Sequence, residues 1–165
     1  MPSVVVILGS DSDLPTVRPA FATLSELGID FEAHICSAHR TPDEATALAA
    51  NARGRGVGVI IATAGKAAHL AGALAARTTL PVIGVPLTSS ELDGLDALLS
   101  TVQMPPGVPV ATVAINAAAN AAVLAAQILA VSDKDLAAKL QARKDAMRAS
   151  VLAKDEALQR ELRAN

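Results

Sequence analysis

The residues best suited to chemistry lie in three short segments, each of which follows a run rich in β-branched residues. The first segment, Gly9-Ser10-Asp11-Ser12-Asp13, combines a glycine with two hydroxyls and two carboxylates. If it opens a helix, the free N–H groups there favour an anion, so a phosphate or a ribose could dock. The alternative is structural, with Ser12 or Asp13 merely capping the helix. Two acids would repel a phosphate, so we expect at least one of them to face sugar hydroxyls or solvent.

The second segment is Ser37-Ala38-His39-Arg40-Thr41-Pro42. Arg40 can bind a phosphate through two parallel hydrogen bonds, and His39 can carry a proton because its ordinary pKa is about 6.5. An isolated histidine is usually structural. This one stands beside an arginine and hydroxyls, so we predict a catalytic role for His39. We expect His34 to be a half-exposed strand residue and Cys36 to be a small buried group.

The third segment, Thr63-Ala64-Gly65-Lys66-Ala67-Ala68-His69-Leu70, contains small residues that allow the backbone to approach a flat ligand. Gly65-Lys66 does not form a Walker A motif, and there is no G-x-G-x-x-G, so ATP hydrolysis and dinucleotide binding both lose their usual support. The three histidines show neither His-x-x-x-His spacing nor a carboxylate cluster. We therefore expect no metal.

The elements that must position these segments alternate between short β-branched runs and longer helical stretches. This pattern is typical of a parallel sheet covered by helices on both faces. The predicted strands span residues 4–8, 29–36, 57–62, 82–85 and 110–115. The predicted helices span residues 15–27, 42–53, 67–77, 95–102 and 117–129. Ligands of such sheets bind beyond the carboxyl ends of the strands, where all three segments lie.

Several helix ends carry recognisable signals. Gly28 is expected to end the first helix, and Thr41-Pro42-Asp43-Glu44 is expected to supply an N-cap, a proline at the first helical position and a capping-box acid. The run at residues 113–131 resembles a membrane span but is interrupted by two asparagines and a glutamine. We interpret it as the end of a strand followed by a buried helix.

The C-terminal segment, residues 132–165, is strongly charged but keeps apolar residues at helical spacing. They are Leu136, Leu140, Met147, Val151, Leu158 and Leu162. The spacing predicts a long amphipathic helix, which either covers its own subunit or packs against a neighbouring chain. We favour the second alternative, because the many alanines would suit close helix packing in an oligomer.

Composition limits the classes of protein. The chain has 165 residues, 52% of them apolar, which predicts a single domain spanning residues 1–165. Fourteen Lys and Arg against sixteen Asp and Glu, with Phe21 and Phe31 as the only aromatics, argue against nucleic acid as a partner. The single cysteine excludes an intrachain disulfide, and the N-terminus does not resemble a signal peptide. We therefore expect a cytoplasmic protein with no membrane association.

The three segments resemble the active-site loops of the N5-carboxyaminoimidazole ribonucleotide mutases, the PurE family of purine biosynthesis. The resemblance covers nearly the whole chain. It continues through Pro81-Val82-Ile83-Gly84-Val85-Pro86, Ser100-Thr101-Val102-Gln103-Met104-Pro105 and Asn120-Ala121-Ala122-Val123-Leu124-Ala125-Ala126-Gln127-Ile128-Leu129. Taken together, these motifs are highly specific.

The resemblance implies a flavodoxin-like α/β subunit with a five-stranded parallel sheet and a long C-terminal helix, usually assembled as a homo-octamer. It implies an isomerase without metal or organic cofactor, which moves a carboxylate from the exocyclic nitrogen of an aminoimidazole ribonucleotide to ring carbon C4. In the family mechanism, carbon dioxide is released inside a closed pocket and the ring carbon then attacks it.

The resemblance also assigns roles to individual residues. His39 matches the family's proton shuttle, a role that suits a group titrating near neutral pH. Further matches are the phosphoribosyl-binding positions Ser10, Asp13 and Arg40 and a pocket histidine, His69, whose role stays open. We expect Ser12 and Ser37 to contribute to substrate binding as well.

The third segment departs from the family pattern. Thr63, Lys66 and Ala71 stand where the family usually has Gly, Gly and Pro. Affinity or pocket closure could differ as a result. The ammonium of Lys66 either attracts the substrate's carboxylate or points to solvent, and both alternatives stay open at the level of sequence.

Two other functions compete with the mutase. A related carboxylase uses free carbon dioxide with the unmodified ribonucleotide, but that branch resembles Ser-Ala-His-Lys where this chain has Arg40. A non-enzymatic signalling receiver is suggested by Asp11 and Asp13 after the first strand. It would need a lysine after the fifth strand, where Ile115 is followed by Asn116.

Overall fold

Five parallel strands form one sheet in the computed structural model, which describes residues 3–164. The strands are β1 (Ser3–Leu8), β2 (Phe31–Ile35), β3 (Val57–Gly65), β4 (Val82–Leu87) and β5 (Ala111–Thr112). Their order in the sheet is β2-β1-β3-β4-β5, and every neighbouring pair is parallel. This is the flavodoxin-like order, so the predicted fold class is confirmed.

Helices connect the strands and cover both faces of the sheet. They are α1 (Leu14–Leu27), α2 (Pro42–Ala52), α3 (Leu70–Ala75), α4 (Leu95–Val102), α5 (Ala118–Ala130) and α6 (Lys134–Ala164). Side chains alternate between faces along a strand, so in β1 Val4, Val6 and Leu8 pack with α1 and α5. Val5 and Ile7 pack with α2 and α3 instead. Burial on both faces explains why β1, β3 and β4 are nearly continuous apolar runs, whereas the edge strand β2 is half-exposed.

Helix α5 presents alanines to the core. The buried members are Ala118, Ala121, Ala122, Ala125 and Ala126, a spacing that forms one continuous helical stripe. Their small side chains let α5 pack closely against α1 and the sheet. This confirms the helical part of the interpretation of residues 113–131, but the predicted strand end is wrong, because β5 ends at Thr112. Within residues 3–164, no helix is long and apolar enough to cross a membrane.

Two strands are shorter than the sequence predicts. At β5, ladder pairing covers only Ala111 and Thr112. Beyond it Val113 donates its N–H to the carbonyl oxygen of Gly84 at 3.1 Å and Asn116 donates to Pro86 at 2.9 Å, so three residues here span two of β4 and the regular ladder ends. At β2, regular pairing starts at Phe31 and not at residue 29. Strand β3, by contrast, continues three residues beyond its predicted end.

The third helix begins at Leu70, three residues later than predicted. Residues 66–69 form a tight turn, in which Ala68 donates its N–H to the Lys66 carbonyl oxygen at 2.8 Å and His69 donates to Ala67 at 2.7 Å. Lys66, directly before the predicted helix, has a left-handed φ of 54°, and the two i→i+2 bonds take the place of helical i→i+4 bonds at Ala68 and His69. The expected helical stretch therefore opens as a loop.

Helix ends follow the predicted signals in part. Gly28 ends α1 with a left-handed φ of 71°, as predicted. Thr41 precedes α2 and Pro42 occupies the first turn, but the predicted capping box with Glu44 is wrong, since Thr41 makes no side-chain cap. The Thr41 hydroxyl is occupied by Ser37, from which it accepts an N–H at 2.9 Å and to whose carbonyl oxygen it donates at 3.0 Å.

The C-terminal helix α6 divides into two parts. Its first turns lie on their own subunit, because Leu136 is buried and Lys139 donates to the carbonyl oxygen of Leu27 at 2.9 Å. Arg143 forms an ion pair with Glu26 at 3.0 Å, and this contact ends the attached part. Beyond it, large apolar side chains are exposed at Met147, Val151, Leu152, Leu158 and Leu162.

Candidate active site

A cavity of about 760 Å³ opens at the carboxyl ends of β1, β2, β3 and β4. All seven site residues predicted from the sequence line it, namely Ser10, Ser12, Asp13, Ser37, His39, Arg40 and His69. Its size falls in the range of small-molecule pockets. His34 does not line the cavity and lies half-exposed in β2, as expected.

The loop after β1 is a short 3₁₀ turn with a reciprocal cap. The Ser10 hydroxyl accepts the N–H of Ser12 at 3.3 Å, and the Asp13 carboxylate accepts the N–H of Ser10 at 3.0 Å. Gly9 donates its N–H to the carbonyl oxygen of Thr63 at 2.9 Å, which joins this loop to β3. The expected cap by Ser12 or Asp13 is wrong: Ser10 caps the 3₁₀ turn, and Asp13 precedes α1 without a side-chain cap. Ser10 and Asp13 both still line the cavity. The Ser10 hydroxyl donates its single hydrogen to the Asp11 carboxylate at 3.1 Å, whereas the Asp13 carboxylate keeps further lone pairs that can accept from a ligand.

The two carboxylates of this loop lie in different surroundings. Asp11 is exposed, as expected for an acid that faces solvent. Partial burial raises the pKa of Asp13 above its usual value, opposed by hydrogen bonds from Ser10 and Ser12, while the nearby charge of Asp11 adds to the increase. Asp13 is thus the acid that the fold holds at the cavity wall, and partial burial makes its ionisation less favourable there than in water, which raises its pKa.

The loop after β2 is held by its own hydroxyls. The Ser37 oxygen accepts N–H groups from His39 at 3.3 Å and Arg40 at 3.2 Å. Cys36 is buried, and its sulfur lies 3.3 Å from the Thr41 hydroxyl. These contacts fix the backbone that carries His39 and Arg40 while leaving both side chains exposed at the cavity.

Two contacts connect this loop to its neighbours. The Arg40 guanidinium donates to the carbonyl oxygen of Gly9 at 3.4 Å, which places it beside the hydroxyls of the first loop. The imidazole rings of His39 and His69 lie with centroids 5.3 Å apart, tilted by 33°. A guanidinium and an imidazole thus lie on one wall of the cavity, with a second imidazole beside the first.

The cavity has a fourth wall that the sequence analysis missed. Residues 88–90, after β4, line the cavity. Asn116 has a left-handed φ of 61°, and its side chain accepts the N–H of Thr88 at 3.0 Å and donates to the Thr88 hydroxyl at 2.6 Å. The rule that ligands bind beyond strand ends could have predicted a contribution from the loop after β4. No pattern in the sequence indicated that the Asn116 side chain would hold Thr88 in place.

The residues that depart from the family pattern have distinct surroundings. Thr63 is fully buried beneath the loops, and its hydroxyl has no hydrogen-bond partner among the described residues. Ala71 is buried in the first turn of α3. Lys66 lines the cavity, and its ammonium lies 3.8 Å from the carboxylate of Glu91. Within residues 3–164, no three His, Cys, Asp or Glu side chains are grouped as metal ligands.

The chain is similar in sequence to a known protein family and to several of its members. Residues 3–150 match the family model described as AIR carboxylase. N5-carboxyaminoimidazole ribonucleotide mutase of Thermotoga maritima is 55% identical over 159 residues, covering 96% of this chain and 93% of the relative. The mutase of Bacillus subtilis is 53% identical, covering 95% of this chain and 98% of the relative.

A solved structure is also similar. The crystal structure of Treponema denticola PurE superimposes with a TM-score of 0.84 at 26% identity, covering 94% of this chain and 98% of that chain. Fold, loop motifs and sequence identity thus agree along almost the whole length. The chain belongs to the AIR carboxylase family.

Proposed function

We propose that the chain is an isomerase of purine biosynthesis that converts N5-carboxyaminoimidazole ribonucleotide to 4-carboxy-5-aminoimidazole ribonucleotide. The observation that carries the proposal is the pairing of His39 with Arg40 on one cavity wall, with Arg40 in contact with the carbonyl oxygen of Gly9 in the serine loop. Relatives named for this reaction are about as long as this chain and more than half identical to it. One cavity therefore provides sites for both a phosphate and a proton carrier.

The phosphoribosyl part of the substrate is assigned to the wall formed by the first two loops. Arg40 would bind the 5′-phosphate, and the hydroxyls of Ser10 and Ser12 would rotate from their present acceptors, Asp11 and Ser10, to donate to it. Asp13 would face the ribose, because a sugar hydroxyl can donate to its carboxylate whereas a phosphate would repel it. Ser37 holds the backbone N–H groups of His39 and Arg40, so its contribution combines loop geometry with binding.

The chemistry is assigned to His39. The bond between the exocyclic nitrogen and the carboxylate breaks, carbon dioxide leaves, and the nitrogen takes a proton from the imidazolium. Ring carbon C4 then attacks carbon dioxide, and the C4 proton returns to the imidazole. Proton and electron counts close without any co-reactant, and an imidazole suits both transfers because its ordinary pKa is near neutrality. His69 lies close enough to share the pocket environment of His39.

Assembly and location complete the proposal. We assign the chain to the cytoplasm and to a homo-octamer, with the exposed part of α6 packed against a second copy. The support is the row of apolar side chains beyond Arg143, since exposed apolar patches of this kind mark interaction surfaces. The catalytic side chains of a single chain are themselves exposed, and a neighbouring subunit would help to close the cavity.

Separate assays of two substrates test the function. The purified protein is given N5-carboxyaminoimidazole ribonucleotide, and in parallel the unmodified ribonucleotide with carbon dioxide. Turnover of the first alone is expected. Turnover of the second alone would identify a carboxylase, which is the second candidate because the matching family model carries that description.

A receiver function has no comparable support. The position after β5 holds Asn116, whose side chain is occupied by two hydrogen bonds to Thr88. Incubation with a small phosphoryl donor and magnesium, followed by mass measurement, is the corresponding test. No mass increase is expected.

A further inference from the structure

Lys66 occupies a conformation that lysine seldom adopts. It follows the last residue of β3 and has a φ of 54°, in the left-handed region that favours glycine. The carbonyl oxygen of Lys66 accepts the N–H of Ala68 at 2.8 Å, so the turn depends on this backbone geometry. A side chain at such a position is unfavourable for the backbone, and strained residues of this kind cluster at ligand sites.

The charged end of Lys66 is held only loosely. Its ammonium lies 3.8 Å from the carboxylate of Glu91, and the two side chains are 70% and 65% exposed. A hydrogen bond with Ser90, and then the charge of Lys66, lower the pKa of Glu91, so this carboxylate stays ionised. Exposed pairs of this type contribute little. A better placed carboxylate can therefore displace Glu91 from Lys66.

The two cations of the cavity lie at opposite ends of it. Among the described residues that line the cavity, the cationic side chains are Arg40 and Lys66, and the acidic one is Asp13. Arg40 bridges the loops after β2 and β1, whereas the pair of Lys66 and Glu91 bridges the loops after β3 and β4. Neighbouring strands are about 4.8 Å apart, so two strand spacings separate these bridges by ~10 Å along the sheet edge.

That separation matches a ligand with two anionic ends, such as a ribonucleotide with a phosphate at one end and a carboxylate on its base at the other. We infer that Lys66 is a second anion-binding residue of the cavity. When a nucleotide binds, the carboxylate on its imidazole ring replaces Glu91 as the partner of the Lys66 ammonium. The inference rests on the proposed function. It assigns Lys66 to the discrimination between carboxylated and uncarboxylated ribonucleotides.

The test compares two ligands by isothermal titration calorimetry. They are 4-carboxy-5-aminoimidazole ribonucleotide and the same nucleotide without its carboxylate. Lys66→Asn removes the charge but keeps a residue that tolerates the left-handed backbone. It should weaken binding of the carboxylated ligand by up to about fivefold, the upper end of the range for an exposed charge pair, and leave binding of the other ligand unchanged. The difference should shrink as salt is raised.

Three further variants make the result specific. Lys66→Arg keeps a cation and should retain most of the discrimination. Glu91→Gln removes the competing carboxylate and should raise the affinity for the carboxylated ligand. This gain in affinity must vanish in the double variant that also carries Lys66→Asn. Lys134→Asn, an exposed lysine outside the cavity, controls for the loss of one charge.

Equal weakening of both ligands by Lys66→Asn would mean that Lys66 only shapes the turn, and unchanged binding of both would remove it from the site. Either result overturns the inference while wild-type turnover still supports the proposed function. If the wild type neither binds nor converts these nucleotides, the proposed function fails and the inference fails with it.

Discussion

Arg40 allows a sharp test of phosphate binding, because its replacement by lysine changes few contacts of the folded protein. The guanidinium is exposed and makes one long hydrogen bond, 3.4 Å, to the carbonyl oxygen of Gly9. Its backbone N–H, bonded to Ser37 at 3.2 Å, is kept in Arg40→Lys. We expect the free energy of unfolding to change by less than about 0.5 kcal/mol, as for most surface substitutions.

Binding should change far more than stability does. A guanidinium offers a phosphate two parallel charge-assisted hydrogen bonds, whereas an ammonium is a point charge without that fork. A hydrogen bond to a charged group contributes about 1.5 to 3 kcal/mol, so losing one corresponds to roughly a ten- to hundredfold weaker affinity. Because Arg40 is exposed to solvent in the described chain, we expect the lower end of that range.

Calorimetry with aminoimidazole ribonucleotide and its dephosphorylated riboside measures the effect. The riboside lacks the group that Arg40 is proposed to bind, so its weak affinity should hardly differ between wild type and Arg40→Lys. Equal losses for nucleotide and riboside would refute a direct contact. They would indicate that Arg40 acts by shaping the loop that carries His39.

Three other perturbations follow from the structure. His39→Asn should keep fold and substrate binding but lower turnover by about 10² to 10⁴, the usual contribution of a positioned acid-base group; near-normal turnover in a steady-state assay would exclude His39 from the proton transfers. Because burial raises the pKa of Asp13, the folded state holds its proton more tightly than the unfolded state, and stability is lost as pH rises from the ordinary value of 3.8 through the folded pKa. The gain in urea midpoint for Asp13→Asn over wild type should therefore be larger at pH 7 than at pH 4, and a gain independent of pH would contradict the assigned cause. Deleting residues 144–165, which spares Leu136 and the Arg143 ion pair, should reduce the particle mass measured by light scattering, whereas an unchanged number of subunits would leave this part of α6 without a role in assembly.

The sheet and most of the site were predictable because their signals are local. Apolar β-branched runs such as residues 57–62 indicate strands buried on both faces, and Gly28 marks a helix end through its own conformational freedom. The rule that parallel strands end at one edge then brings His39, Arg40 and the serine loop together. None of these inferences needs a distance between elements.

The remaining features depend on contacts between elements. Strand β5 is short because its register with β4 breaks after Val113, where Asn116 and not residue 115 donates its N–H to the carbonyl oxygen of Pro86 at 2.9 Å. Thr41 has the residue type of a cap, yet its hydroxyl binds Ser37 across the loop. The left-handed turn at Lys66 opposes what a lysine alone would favour. Residue propensities describe single residues, so they do not predict which of several possible partners a hydroxyl or a backbone N–H will bind.

The position of Cys36 allows opening of the loop after β2 to be measured by thiol labelling. It is the only cysteine in the sequence, it is buried, and it directly precedes the loop that carries His39 and Arg40. A thiol reagent can reach its sulfur only when the contact with Thr41 opens, so the labelling rate follows local opening of this loop. A ligand that bridges Arg40 and the serine loop should slow the labelling. The native sequence thus contains a single-site reporter of active-site closure, and no engineered probe is needed.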